Sequence, residues 1–199
     1  MNVQGLIAIM MSVALVNNYV LSQFLAICPF LGVSKQLKSS VGMGCAVIFV
    51  MILATAVTWP IQVYLLDRAG LGYLQTIMFI LIIASLVQFV EIVLKKYIPA
   101  LYQSLGIFLP LMTTNCAIFA VTIVNINQGY TFIESMVNSL GAGLGFLLAM
   151  VIFSGIREHM ENADPPESFA GLPLIFISAA ILSLSFMGFV GVVENLFGF

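Results

Sequence analysis

Charge is what this chain has least of. Only 7% of its 199 residues are Asp, Glu, Lys or Arg, whereas soluble domains carry about 25%. The formal net charge is −2, so a nucleic-acid partner has no support. Histidine occurs once, tryptophan once and cysteine three times. There is no Ser/His/Asp set, no glycine-rich phosphate loop after a strand and no CxxC pair. Those absences exclude triad hydrolysis, a nucleotide site of that type and a dithiol redox motif. Residues 1–34 carry no charged side chain. They lack the basic segment that opens a cleavable signal, so they are expected to form a mature first span.

What the chain has is apolar length. It is 62% hydrophobic, with a mean hydropathy of +1.16. This composition predicts an all-α integral membrane protein, a single membrane domain over residues 1–199, with no soluble domain. Six transmembrane helices fit at about 20 residues each, near 3–33, 41–66, 72–94, 99–125, 132–156 and 171–195. The short connections carry nearly all the charge. Lys35 and Lys38 follow the first span, Asp67 and Arg68 the second, Lys95 and Lys96 the third. Asn125, Asn127, Gln128 and Gly129 follow the fourth, and an acidic segment from Arg157 to Glu167 follows the fifth. Five of the six basic residues fall in the first, third and fifth connections. The positive-inside rule then places those connections in the cytoplasm and both termini outside.

The spans divide into two halves, about 1–97 and 98–199, with weak internal similarity. Ser85–Val93 aligns with Ser185–Val193, Gly42 and Gly44 with Gly141, Gly143 and Gly145, and Cys28–Val33 with Cys116–Val121. Three spans per half make the repeats inverted. Residues 1–34 and 97–133 are both charge-free and both exceed one crossing. Each holds a breaker: Pro29 in the first, Gly106 and Pro110 in the second. Spans one and four are therefore expected to be broken into half-helices, the strongest sequence pointer to a functional centre in such a fold. Cys28 lies about 10 Å of helix from Lys35, and Cys116 about 14 Å from Asn125. Each cysteine thus approaches the midplane from its own face.

The deep polar inventory is short. Thr113, Thr114, Asn115 and the cysteines lie deepest, with Asn17, Asn18 and Gln88 nearer the ends. Interhelical hydrogen bonding is the plain role for them. Glu91 sits one turn before Lys95, an i,i+4 pair at the interface. Glu134 and Glu194 lie near outer span ends, and His159 lies in the acidic connection. Cys45 follows Gly42 and Gly44 and reads as a small packing residue. Cys28 and Cys116 differ, because both sit at a break. Two thiolates supply half the ligands of a [2Fe–2S] or [4Fe–4S] cluster, and a partner would bring the rest. A Cys28–Cys116 disulfide is the rival on residues alone.

Four stretches carry a resemblance: VNNYVLSQFLAICPFLGVSKQL, LYQSLGIFLPLMTTNCAIFAVTIVNIN, SGIREHMENADPPESFAGLPL and SFMGFVGV. The chain resembles the A-type membrane subunits of the Rnf family and the paralogous E subunit of the sodium-translocating NADH:quinone reductase. CPFLGVSK and TTNCAIF favour the Rnf side. The resemblance covers essentially the whole chain. It implies six spans and pairing with a homologous, inverted E-type subunit. It implies a [2Fe–2S] cluster shared mid-membrane, with Cys28 and Cys116 as this chain's iron ligands and no ligand role for Cys45. It further implies other membrane, flavin and iron–sulfur subunits, with no flavin or NAD on this chain. The assembly would be a translocase that moves electrons between ferredoxin and NAD and exports sodium or protons. A plain inverted-repeat transporter and a structural scaffold are the alternatives of other classes.

Overall fold

A computed structural model describes residues 3–27, 32, 37–70, 72–97, 115–161 and 171–188. The described residues are helical and contain no strand. In hydrocarbon every backbone N–H and C=O must find its partner within the chain, and a helix does this without a neighbour. Helix α1 is Val3–Met11, extended by a π-helical turn Ser12–Val16. Helix α2 runs Leu37–Ile61 and continues through a π-helical turn Gln62–Leu66 into a short turn Asp67–Ala69. Helix α3 is Gln75–Tyr97, preceded by a 3₁₀ turn Gly72–Leu74. Helix α4 is Cys116–Asn127, α5 is Phe132–Glu161 and α6 is Leu172–Met187. Three stretches, Ser39–Leu66, Gly72–Val93 and Phe132–Met160, are long and apolar enough to cross a membrane; Gly5–Val16, Cys116–Asn127 and Pro173–Met187 are shorter apolar helices.

The centre of the bundle is α2 against α5. Thr55 meets Ser139 near one end and Gly44 meets Leu147 near the other, so the two helices run antiparallel. Helix α1 runs parallel to α5. A Cβ on Gly141 would lie 2.9 Å from the Met10 carbonyl oxygen, and one on Gly145 would lie 2.9 Å from that of Ala14. Glycine spaced by four thus lets two helix backbones touch. Helix α4 packs on α2, and α3 packs on both α2 and α4. Helix α6 packs on α5 and on the π turn after α1. Met43, Val47, Met51, Ile118, Val121, Phe146, Met150 and Phe153 fill the space between.

Polarity is reversed relative to a soluble protein. Phe49, Ile77, Ile80, Phe89, Ile181 and Leu184 face outward. Asn18, Thr55, Thr122, Asn125, Asn138 and Ser139 are buried. A helix apolar on every side belongs in lipid or against another apolar partner.

Two expectations change here. The first span breaks earlier than its proline: the helix ends at Val16, and residues 17–26 form turns. Polar Asn17 and Asn18 begin the break, and Pro29 itself lies outside the described residues. Asn125, placed in the fourth connection by hydropathy, is instead a buried residue of α4. Gly106, Pro110, Thr113, Thr114, Glu194 and the Asp164–Glu167 segment also lie outside the described residues.

Candidate cofactor site at a half-helix start

Helix α4 begins inside an apolar run, where a single spanning helix would have no end. Asn115 makes the start. Its backbone is extended, with φ −72° and ψ 110°. Its side-chain Oδ1 accepts a hydrogen bond from the Ala117 N–H at 3.0 Å, the arrangement of an N-cap. Cys116 is therefore the first residue of the helix, where the backbone N–H groups of the first turn have no partner within the helix. From Cys116 to Asn127, α4 is about 18 Å long. That is shorter than one crossing of a hydrocarbon core about 30 Å thick. Cys116 reaches the surface of the chain, while Asn115 is 3% exposed. The Nδ2 of Asn115 is buried and has no hydrogen-bond partner among the described residues.

The other break lies across the same core. Asn18 donates from Nδ2 to the carbonyl oxygens of Ala14, at 3.2 Å, and Gly145, at 2.8 Å. Its Oδ1 accepts from the Val20 N–H at 3.1 Å. One side chain thus ends the helix, starts the turn and fastens both to α5. Ser183 of α6 donates to the Leu21 carbonyl at 2.5 Å. Phe24 and Ala26 have φ of 53° and 67°, a left-handed conformation that costs each non-glycine residue about 1 kcal/mol. Ala26, two residues before Cys28, and Ala117, directly after Cys116, belong to one contiguous buried core. Cys28 itself lies outside the described residues.

Cys45 is not a packing residue. It is exposed on α2, and the neighbouring Gly44 makes the close contact, with Leu147 of α5. Among the described residues, no three His, Cys, Asp or Glu side chains gather as a metal-binding group. His159 is exposed near the end of α5. Glu134 caps α5: its carboxylate accepts from the Thr131 N–H at 2.9 Å and the Thr131 hydroxyl at 2.8 Å.

A second polar cluster escaped sequence reading. Asn138 Nδ2 donates to Asn125 Oδ1 at 2.6 Å. Asn125 Nδ2 donates to Ser139 Oγ at 3.2 Å, and Thr55 and Ser139 share a hydrogen bond at 2.6 Å. These contacts join α2, α4 and α5 near the turn at 128–131. The sequence signal was the recurrence of amide and hydroxyl residues within apolar helices, where each must be paired inside the bundle.

The architecture defines an all-helical bundle of apolar helices, consistent with an integral membrane protein, in which a side-chain cap starts one helix inside an apolar run. A family model described as "Rnf-Nqr subunit, membrane protein" matches residues 6–193. The chain belongs to that family. It is 55% identical over 186 residues to the A-type subunit of the Na(+)-translocating ferredoxin:NAD(+) oxidoreductase complex of Acetobacterium woodii, covering 94% of this chain and 97% of that one. It is 50% identical over 192 residues to the A-type subunit of the ion-translocating oxidoreductase complex of Syntrophotalea carbinolica, covering 96% and 100%. The corresponding subunit of Serratia proteamaculans is 52% identical over 180 residues, covering 90% and 93%.

Proposed function

We propose that this chain is a membrane subunit of an ion-translocating ferredoxin:NAD oxidoreductase complex and carries half the ligands of a [2Fe–2S] cluster shared with a homologous, inverted subunit. Membership of the family and identity above 50% to the Acetobacterium woodii relative support the complex. The single observation that carries the cluster is the start of α4, where a side-chain cap makes Cys116 the first helical residue, inside an apolar run and at the chain's surface. Cys28 supplies the second ligand, and the partner subunit supplies two more.

The residues present fit such a group. The first turn of a helix presents backbone N–H donors to a negatively charged group bound there. Asn115 fixes where the helix begins and so fixes where the Cys116 sulfur stands. The buried, unpartnered Asn115 Nδ2 marks a place for an acceptor. A bound cluster supplies one-electron transfer across the low-dielectric middle of the membrane. The chain's own part is to hold sulfur at that depth, exclude water with the core around Ala117 and Ile118, and leave one face open for the partner.

The fold reading extends to six spans arranged as two inverted repeats, 1–97 and 98–199, with both termini outside the inner membrane. The packing supports it. Helix α1 lies on α5 as α4 lies on α2, and α6 meets α5 and the end of α1 as α3 meets α2 and α4. Exchange of the two halves maps these contacts onto one another, while the α4–α5 contact has no counterpart of its size between α1 and α2 among the described residues. The coupling ion is sodium or a proton; the Acetobacterium woodii relative is named as sodium-translocating.

The test is EPR of the purified complex after dithionite reduction, with wild type compared with Cys28→Ala and Cys116→Ala. Loss of the same [2Fe–2S] signal in both variants, with all other centres intact, is the expected result. An unchanged spectrum in both would return the cysteines to packing and leave a transporter or scaffold.

A further inference from the structure

Six buried side-chain atoms lack a hydrogen-bond partner among the described residues. One of them, Asn115 Nδ2, belongs to the residue next to a proposed cluster ligand. A buried amide left unpaired costs about 1–3 kcal/mol, and a native structure that keeps one needs a reason. Helix capping is not that reason. The cap uses Oδ1, which accepts from the Ala117 N–H. Serine, threonine or aspartate would cap as well. Only asparagine adds an NH₂ group to the same side chain.

The cap also settles which way the amide faces. Turning it over would set the NH₂ group against the Ala117 N–H, two donors in contact. The amide is planar, so with Oδ1 held on the first turn of α4, Nδ2 is held beside that turn. There it is 3% exposed as part of Asn115, cut off from water, and adjacent in sequence to Cys116.

We propose that Asn115 is a positioning and tuning residue whose Nδ2 donates a hydrogen bond to a sulfur of the cluster bound at Cys116, stabilising its reduced form. The inference rests on the cluster reading given above. Hydrogen bonds to cluster sulfurs favour the more negative state and raise the reduction potential. In a low-dielectric site such a bond is stronger than in water. Asn115 thereby joins two tasks in one side chain. Oδ1 begins the helix that carries the ligand, and Nδ2 sets how readily the bound group accepts an electron.

The test uses the assembled complex and the EPR signal that Cys116→Ala abolishes. Asn115→Ser and Asn115→Asp keep an oxygen for the cap and remove the amide donor. Potentiometric titration followed by EPR is expected to move the equilibrium at least tenfold toward the oxidised form in both, about 59 mV for a one-electron couple. Hyperfine spectroscopy of wild-type complex grown with asparagine labelled with ¹⁵N only in the side-chain amide is expected to show a weak coupling to the reduced cluster. That coupling should vanish in Asn115→Ser. Wild-type potentials in both variants, or no ¹⁵N coupling in wild type, would overturn the inference. Should neither variant retain the cluster, the wild-type coupling decides alone. A wild-type complex with no Cys116-dependent signal would instead remove the cluster reading, and this inference with it.

Discussion

At the scale of single residues, the fold is held where a polar atom meets a backbone that has run out of helix. Trp59, the only tryptophan, donates from Nε1 to the Tyr130 carbonyl at 2.9 Å. Its ring also meets Phe132 edge-on, with centroids 5.5 Å apart. It therefore fastens the end of α2 to the turn before α5. Trp59→Phe removes the hydrogen bond and keeps most of the ring contact, so the expected loss is about 1 kcal/mol. Thermal unfolding of the purified complex measures it, and no loss would mean that the turn is held elsewhere. The Thr55–Ser139 hydrogen bond tests a different point. Buried hydroxyl pairs in membrane helices contribute about 0.6 kcal/mol on average. A double-mutant cycle with Thr55→Val and Ser139→Ala should return a coupling of that size, and a coupling near zero would make both residues spectators of the α2–α5 contact.

At the scale of elements, close backbone approach decides where α1 lies. Gly145 has the Ala14 carbonyl oxygen 2.9 Å and its Cα 3.0 Å from where a Cβ would stand, whereas Gly155 on the same helix has nothing within 4 Å. Gly145→Ala must push α1 off α5 and is expected to cost about 1–3 kcal/mol. Gly155→Ala should be neutral or slightly stabilising, because alanine restricts the unfolded chain more than glycine. The two variants share chemistry and helix, so equal melting temperatures in the complex would refute the packing argument. These elements also show how much the sequence disclosed. The apolar runs that became α2, α3 and α5 were legible from length and charge alone. A break in the fourth span was expected from Gly106 and Pro110, which lie outside the described residues, whereas the helix start that Asn115 caps at Cys116 was not read from the sequence. The break after α1 went unread because Asn17 and Asn18 are a weaker sequence signal than a proline. The Asn18 amide acts through a contact with Gly145 that lies more than a hundred residues away in sequence. Cys45 was misread because a small-residue pattern gives a period and not a phase. Adjacent helix positions point about 100° apart, so Gly44 faces α5 and Cys45 faces outward.

At the scale of the whole molecule, an exposed apolar surface leaves orientation to be set by the few charges at helix ends. Helix α5 holds the sharpest test because both of its ends are described. Its 30 residues extend about 45 Å, longer than a hydrocarbon core of about 30 Å, so its ends project beyond the core. Gln128 lies in the exposed turn before it, and Arg157, Glu158 and His159 lie near its other end. If basic residues mark the cytoplasmic side, the Gln128 end is outside and the His159 end is inside. Gln128→Cys and His159→Cys, each in a Cys45→Ser background, are treated with a membrane-impermeant maleimide on intact spheroplasts and again after permeabilisation. Labelling of Gln128→Cys in intact spheroplasts, and of His159→Cys only after permeabilisation, is the expected pattern. The parent background controls for the thiols of Cys28 and Cys116. Because α1 runs parallel to α5, the same experiment places the start of the chain on the outer side. The reverse pattern would invert the chain in the membrane and move the turn held by Trp59 to the cytoplasmic face.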